Sequence, residues 1–264
     1  MILAFDLETT GVYDFKLPAD DPAQPRVVEI AAVLCDDAGS EVDSYGSIIK
    51  PDGWTIPEYV AKIHGITTAI AMEQGRPIAE ALDAFDALLA RAGLLIAYNL
   101  KFDDKGLRSE RRRLGRPDGF GTVPVFCCMK GATPLCKLER TVKQKKAGFD
   151  KGQYKTPKLT EAVKILLGRE HVGAHGALAD AAATKDIYFA CRDNHEFMAA
   201  GSAFKTNEAK ATVPQDAPMP RTDPPQNPLF KRAQLQYGVP PPAKGADSTM
   251  DDLFNLYNHG DKAE

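Results

Sequence analysis

The chain has 264 residues, with 33 Lys and Arg against 36 Asp and Glu, and 44% of it is apolar. This composition is typical of a soluble folded domain with an appendage. No apolar stretch approaches the ~20 residues that span a bilayer, and the N-terminus has neither a basic leader nor a small-residue cleavage site. The five cysteines contain no C-x-x-C pair, which argues against a disulfide framework and a structural zinc site. We therefore expect a cytoplasmic protein.

Charge is distributed unevenly along the chain. Residues 1–100 carry a net charge of −10, and residues 101–158 carry +10. One interpretation is a set of solvated faces with some ion pairing. The other is a basic rim beside an acidic pocket, an arrangement suited to holding a polyanion next to a bound cation.

The first part of the chain is predicted to be a meander of three strands, at 2–5, 27–34 and 42–49, with a turn at 36–39. Helices and strands alternate after it. Ile78, Leu82, Phe85 and Leu89 follow a helical spacing between Pro77 and Gly93. Further elements are predicted as a strand at 94–98, a helix from Asn99 to about 114, a strand at 123–126, and helices at about 159–166 and 177–192. The order predicts a mixed-sheet α/β domain.

Residues 201–264 hold 9 of the 19 prolines and few sustained apolar patterns. Such a composition is typical of a disordered segment, because it offers too little apolar surface to form a core. The predicted organisation is therefore a folded domain at 1–198 and a Pro-rich disordered tail at 199–264.

Paired carboxylates end the first predicted strand. Alternation along a strand turns Asp6 and Glu8 to the same side, a few ångströms apart. A D-x-E triplet also arises by chance in an acidic chain, where it would be a solvated strand end. Thr9 and Thr10 follow at once and predict a tight polar turn whose backbone N–H groups could approach a ligand.

Two later segments supply further polar groups at helix starts. Asp103 falls in the first turn after Asn99, where it could simply compensate the helix dipole while Asn99 caps the helix. His175 precedes the last predicted helix, and Asp180 lies in its second turn; a lone histidine there could equally be a surface residue.

Four carboxylates brought together would repel one another without a cation. Oxygen ligands suit Mg²⁺ or Mn²⁺, and four of them can hold two ions, as in phosphodiester-cleaving sites. A neutral histidine beside them could act as the general base.

The motifs D-x-E-T-T-G, N-x-x-F-D and H-x4-D, in that order over residues 6–180, resemble the DEDD superfamily of 3′-to-5′ exonucleases in its histidine (DEDDh) branch. The resemblance covers about residues 1–195 and implies a ribonuclease H-like mixed sheet flanked by helices. It also implies Asp6, Glu8, Asp103 and Asp180 as ligands of two metal ions, with His175 as general base. Similar relatives include the proofreading epsilon subunit of bacterial DNA polymerase III and phage-encoded exonucleases.

Contacts to nucleic acid are predicted around this site. His64 belongs to a segment that resembles the family's pocket for the terminal nucleotide, or it is part of a turn capping a short helix. Phe102 could stack on a base or belong to the core. Arg111, Arg112 and the lysines of the basic insert are candidates for phosphate contacts. The substrate contacts predicted from the sequence are Thr9, Thr10, His64, Asn99, Phe102, Arg111 and Arg112.

The function expected from these features is metal-dependent 3′-to-5′ hydrolysis of single-stranded DNA that releases nucleoside 5′-monophosphates. An RNA-trimming exonuclease is a rival, and so is a nucleic-acid-binding interaction module of the replisome. The segment 250–254, with Leu253 and Phe254, loosely resembles motifs that dock on a sliding clamp or polymerase, or is an arbitrary apolar pair in the tail.

Overall fold

The computed structural model describes residues 1–141 and 152–202. Its strands are β1 (Ile2–Thr9), β2 (Val27–Cys35), β3 (Glu41–Ile48), β4 (Leu94–Ala97) and β5 (Val125–Cys127). Its helices are α1 (Glu58–His64), α2 (Thr68–Gln74), α3 (Ile78–Leu89), α4 (Leu100–Arg113), α5 (Cys128–Cys136), α6 (Leu159–Leu167), α7 (Ala177–Cys191) and α8 (His195–Ser202). Within these two ranges, no helix is both long and apolar enough to cross a membrane.

The strands form one mixed sheet in the order β3-β2-β1-β4-β5. The β1–β2 and β2–β3 pairs are antiparallel, whereas the β1–β4 and β4–β5 pairs are parallel. β1 lies at the centre and is buried along almost its whole length, as expected for a strand covered on both faces. β3 is half exposed and polar, which suits an edge strand. The predicted mixed-sheet α/β class is confirmed.

The two faces of β1 carry different cores. Leu3, Phe5 and Leu7 point to one face, where they join the apolar side of α3. Ile2 and Ala4 point to the other face, which α7 covers with small or aliphatic side chains. Because side chains alternate along a strand, Asp6 and Glu8 continue the row of Ile2 and Ala4 and lie on the α7 side.

The structure extends several predicted elements. β1 continues through Thr9 rather than ending near Phe5, because its polar end keeps pairing with β2. Helices α2, α5 and α8 were not predicted, whereas α1 ends at His64 and Gly65, as in the alternative of a turn capping a short helix. α5 contains Pro134, a residue that usually marks a helix boundary, so the sequence pattern did not indicate a helix there.

The last of these helices, α8, lies partly beyond the predicted end of the folded domain. α8 runs to Ser202, beyond the predicted boundary at residue 198. The rings of Phe197 and Phe126 pack with centroids 5.1 Å apart. A Cβ placed on Gly201 would lie 2.1 Å from Phe126 Cζ, so this position requires glycine. The described fold therefore extends past residue 198, and residues 203–264 of the predicted tail lie outside the described part of the chain.

Candidate active site

Three carboxylates from two elements meet at the centre of the sheet. β1 presents Asp6 and Glu8, and the first turn of α7, rather than the predicted second turn, brings Asp180 to them. One ligand oxygen from each of the three lies within 4.8 Å of the other two. The alanines of α7 favour this approach, since Ala177 and Ala181 are fully buried against the sheet.

Asp103 joins the three carboxylates from the first turn of α4. Its side chain is buried, and its Oδ1 accepts a hydrogen bond from the backbone N–H of Leu7 at 3.2 Å. Leu7 stands between Asp6 and Glu8 in β1, so this bond ties α4 to the strand segment that carries both carboxylates. The structure thus brings together all four predicted metal ligands.

The electrostatics of the cluster are unfavourable for four negative charges. The pKa of Asp6 is raised well above its ordinary value by burial, and then by the charges of Asp103, Asp180 and Glu8. Burial also raises the pKa of Asp103, although the hydrogen bond from Leu7 N–H opposes the shift.

Divalent cations fit this donor set. Buried oxygen ligands that repel one another are stabilised by a hard cation such as Mg²⁺ or Mn²⁺, which offsets their mutual repulsion. The acidic cluster is therefore a candidate site for divalent ions.

Two histidines, rather than one, lie at the start of α7. His175 lines the cavity beside the carboxylates and has a backbone φ of 67°, in the left-handed region that non-glycine residues rarely adopt. His171 also lines the cavity, and its Nε2 lies 2.5 Å from Asp180 Oδ1. The motif spacing identified only His175. His171 lies in the loop before α7, and no motif spacing pointed to it.

His64 is a third histidine close to this group. Its Nδ1 accepts a hydrogen bond from the backbone N–H of Ile66 at 3.1 Å, so in the neutral ring the proton is on Nε2. Burial and the neighbouring His175 lower its pKa to about 4. Nε2 has no hydrogen-bond partner among the described residues, while the adjacent Ile63 lines the cavity.

A cavity of about 700 Å³ opens over the carboxylates. Asn99 and Phe102, both predicted substrate contacts, line it. Phe102 is nevertheless almost fully buried, and its ring packs edge-on against Tyr13 with centroids 4.9 Å apart. Lys101, Lys130 and Lys158 also line the cavity and place positive charge around the acidic centre.

The two threonines after Glu8 use their hydroxyl groups within the turn. Thr9 Oγ1 donates to the carbonyl of Gly11 at 2.6 Å, and Thr10 Oγ1 accepts from the N–H of Arg26 at 2.9 Å. These hydrogen bonds fix the end of β1 above the carboxylates.

The arginines of α4 are engaged in the fold rather than at the cavity. Arg111 is 3% exposed; its guanidinium donates to the carbonyl of Gly119 at 2.7 Å and pairs with Asp86. Arg112 pairs with Asp118 at 2.5 Å. Acidic partners thus already neutralise both charges, and the phosphate contacts of Arg111 and Arg112 stay a prediction.

Comparison with known proteins agrees with the geometry. A mixed five-stranded sheet of ribonuclease H-like type, with a carboxylate cluster at its centre, defines a class of nucleases that hydrolyse phosphodiesters. The model of the exonuclease family matches residues 3–188, and the chain belongs to this family. No curated protein sequence gives a significant match.

Solved structures share the fold. A structure of exonuclease I has 21% identity, a TM-score of 0.57, and coverage of 74% of this chain and 42% of that chain. E. coli exonuclease I in complex with a dT13 oligonucleotide has 21% identity and a TM-score of 0.56, with coverage of 72% and 40%. Exonuclease I from Methylocaldum szegediense has 22% identity and a TM-score of 0.55, with coverage of 74% and 41%. This chain thus spans less than half the length of these proteins.

Proposed function

We propose that the protein is a metal-dependent 3′-to-5′ exonuclease of the DEDDh branch, acting on single-stranded DNA and releasing nucleoside 5′-monophosphates. The observation that carries the proposal is the meeting of Asp6, Glu8 and Asp180 within 4.8 Å of one another, with Asp103 tied to the same strand. The exonuclease I structures with bound oligonucleotides support single-stranded DNA as the substrate.

The four carboxylates would hold two divalent ions. When bound, the ions supply charge stabilisation for the phosphate and for the attacking and leaving oxygens. Asp6, Glu8, Asp103 and Asp180 are the residues that would hold these ions.

His175 is proposed to take a proton from the attacking water. The water oxygen forms a bond to phosphorus, the bond to the 3′ oxygen of the preceding nucleotide breaks, and that oxygen receives a proton. The products are a nucleoside 5′-monophosphate and a strand one nucleotide shorter. The lysines that line the cavity would hold the backbone phosphates, which contributes affinity without sequence preference.

The test is a time course on 5′-labelled single-stranded DNA and RNA with Mg²⁺, Mn²⁺ or EDTA. Asp6→Asn and Asp103→Asn keep the side-chain shapes but remove a ligand charge, so we expect both to abolish cleavage. Asp52→Asn, at an exposed position, is the matched control and should cleave as wild type does.

A metal-dependent ladder that shortens from the 3′ end, lost in both variants and kept in the control, would support the proposal. Faster shortening of the RNA strand would reassign the substrate to RNA. Normal cleavage by Asp6→Asn would refute the metal-ligand assignment, and binding without any cleavage by wild type would favour an interaction module.

The two histidines need separate variants. His175→Ala should lower turnover on the order of 10²- to 10⁴-fold if it is the general base. His171→Ala should lower turnover about 10- to 100-fold, because its Nε2 contacts Asp180, one of the proposed metal ligands. The opposite ranking would transfer the role of base to His171.

The proposal also includes a relation to the epsilon subunit, a part in proofreading and replication, and a cytoplasmic location. The predicted docking segment with Leu253 and Phe254 lies outside the described residues. A pull-down of the full chain with a sliding clamp, repeated with both residues replaced by alanine, would test that prediction.

A further inference from the structure

A fifth acidic residue, Glu29, lies beside the proposed metal ligands. It stands on β2 directly opposite Glu8 in the antiparallel register, so the two side chains share the face covered by α7. Its Oε2 accepts a hydrogen bond from the backbone N–H of Ala177 at 3.0 Å. The motifs found in the sequence do not include this residue.

Burial of this carboxylate is costly. The pKa of Glu29 is raised by burial and by the charge of Asp180, and the hydrogen bond from Ala177 N–H opposes the rise. Its charge in turn contributes to the raised pKa of Asp6. A buried acidic group among four others destabilises the fold unless hydrogen bonds or a cation compensate its charge.

The hydrogen bond occurs at a helix start that lacks its own cap. Ala177 is the first residue of α7, and the N-cap position is Gly176, which has no side chain to accept from the helix. The first N–H groups of a helix have no acceptor within it, so they need one from elsewhere. Glu29 supplies that acceptor from the neighbouring strand.

The hydrogen bond between Ala177 and Glu29 fixes the position of Asp180 relative to the other proposed metal ligands. The backbone N–H of Asp180 donates to the carbonyl of Gly176 at 3.0 Å, so Asp180 belongs to the turn that Glu29 anchors. Asp6 and Glu8 are fixed by β1, which pairs with β2. The hydrogen bond from Ala177 to Glu29 therefore connects the strand pair to the turn that brings the third carboxylate, in addition to the packing of α7 on the sheet.

We propose that Glu29 is a positioning residue that holds the start of α7 on the sheet, so that Asp180 meets Asp6 and Glu8 in a geometry able to bind divalent cations. The inference rests on the proposed function, since it concerns the same metal site. The essential property is the reach of an acceptor oxygen to Ala177 N–H, and the negative charge is dispensable.

Two conservative variants separate the effect of the side-chain length of Glu29 from the effect of its negative charge. Glu29→Gln keeps an acceptor oxygen at the same length without the charge, whereas Glu29→Asp keeps the charge but is one methylene shorter. We expect Glu29→Gln to bind Mn²⁺ as wild type does, and Glu29→Asp to bind it about 10- to 100-fold more weakly. Glu73→Asp, at an exposed site in α2, is the control and should match wild type.

Mn²⁺ binding is measured on the metal-free protein without nucleic acid, by calorimetry or by the loss of the free-ion electron paramagnetic resonance signal. Weak binding by Glu29→Gln with strong binding by Glu29→Asp would show that charge matters, and would overturn the positioning role. Equal binding by all the proteins would overturn it too. Melting curves without metal show whether each variant is folded, and loss of folding in Glu29→Gln would also contradict the inference.

Exonuclease activity is assayed separately on the same proteins. Tight Mn²⁺ binding by wild type without cleavage of DNA would refute the proposed function, while the ranking of the Glu29 variants would still decide the positioning role. Cleavage by wild type together with an unchanged Glu29→Asp variant would refute the positioning role alone.

Discussion

Asp6→Asn should abolish cleavage in the presence of Mg²⁺ and, at the same time, make the metal-free protein more stable. Asp6 lies at the centre of the carboxylate cluster, and its oxygen is within 4.8 Å of oxygens of Glu8 and Asp180. Asparagine has nearly the same shape, but it carries no charge and its amide can donate to the neighbouring carboxylates. The substitution therefore removes repulsion without leaving a cavity.

The size of the gain in stability follows from the distance between the carboxylate oxygens. At an effective dielectric constant of about 20, two unit charges 4.8 Å apart repel by about 3.5 kcal/mol. Part of this repulsion is already relieved in the wild type, because the raised pKa of Asp6 favours its protonated form. We expect the free energy of unfolding to increase by about 1 to 3 kcal/mol at pH 7.5.

The difference in stability between Asp6→Asn and wild type depends on pH in a defined way. A carboxyl group whose pKa is raised in the native state binds more protons there than in the unfolded chain, so stability falls as pH rises through the native pKa. Asparagine has no such dependence. The advantage of Asp6→Asn should therefore be largest at neutral pH, and should shrink as the pH falls towards the ordinary value of 3.8.

The assay is thermal or urea unfolding in EDTA, for wild type, Asp6→Asn and the exposed control Asp52→Asn. For a domain of this size, the expected gain corresponds to a rise in Tm of about 3 to 9 °C. The control should stay within about 0.5 kcal/mol of wild type. Saturating Mg²⁺ should stabilise wild type, by about 2.7 kcal/mol at 100 times its Kd, and should stabilise Asp6→Asn less. A variant that is less stable than wild type in EDTA at pH 7.5 would refute the reasoning.

Three further outcomes are expected. Glu110→Ala should lower the free energy of unfolding by about 3 to 5 kcal/mol in urea denaturation, because Glu110 is 1% exposed and bonds Arg26 at 2.8 Å; a loss under 1 kcal/mol would contradict this role. Gly201→Ala should cost about 1 to 3 kcal/mol through its clash with Phe126, unlike Gly119→Ala at an open position, and equal melting of the two would show that α8 is not part of the domain. Lys130→Ala should reduce the salt dependence of binding to single-stranded DNA by about 0.7 in log–log slope, and an unchanged slope would exclude a phosphate contact.

Periodicity was enough to predict the central elements of the fold. The alternation and apolar character of β1 and β2 and the helical spacing of α3 are local properties, so strands and helices could be placed from the sequence. Helices α5 and α8 were not predicted from the sequence because their stability comes from packing against each other and against β5. A local sequence pattern does not show such contacts.

Charge was harder to interpret than periodicity. The arginines of α4 look the same in sequence whether they bind phosphate or pair with acidic residues. Only the fold shows that Asp86 and Asp118 are within reach of Arg111 and Arg112. The acidic and basic segments of the chain thus neutralise each other in part, which is the ion-pairing interpretation.

The sequence by itself determined which residues could do the chemistry, because Asp6, Glu8, Asp103, Asp180 and His175 stand in motifs of fixed spacing. The tertiary structure decided how they meet and what holds them. His171 reaches Asp180 across a loop, and Glu29 reaches Ala177 from a strand far away in sequence. Hydrogen bonds of this kind depend on where the chain folds back on itself, which no local pattern of residues encodes.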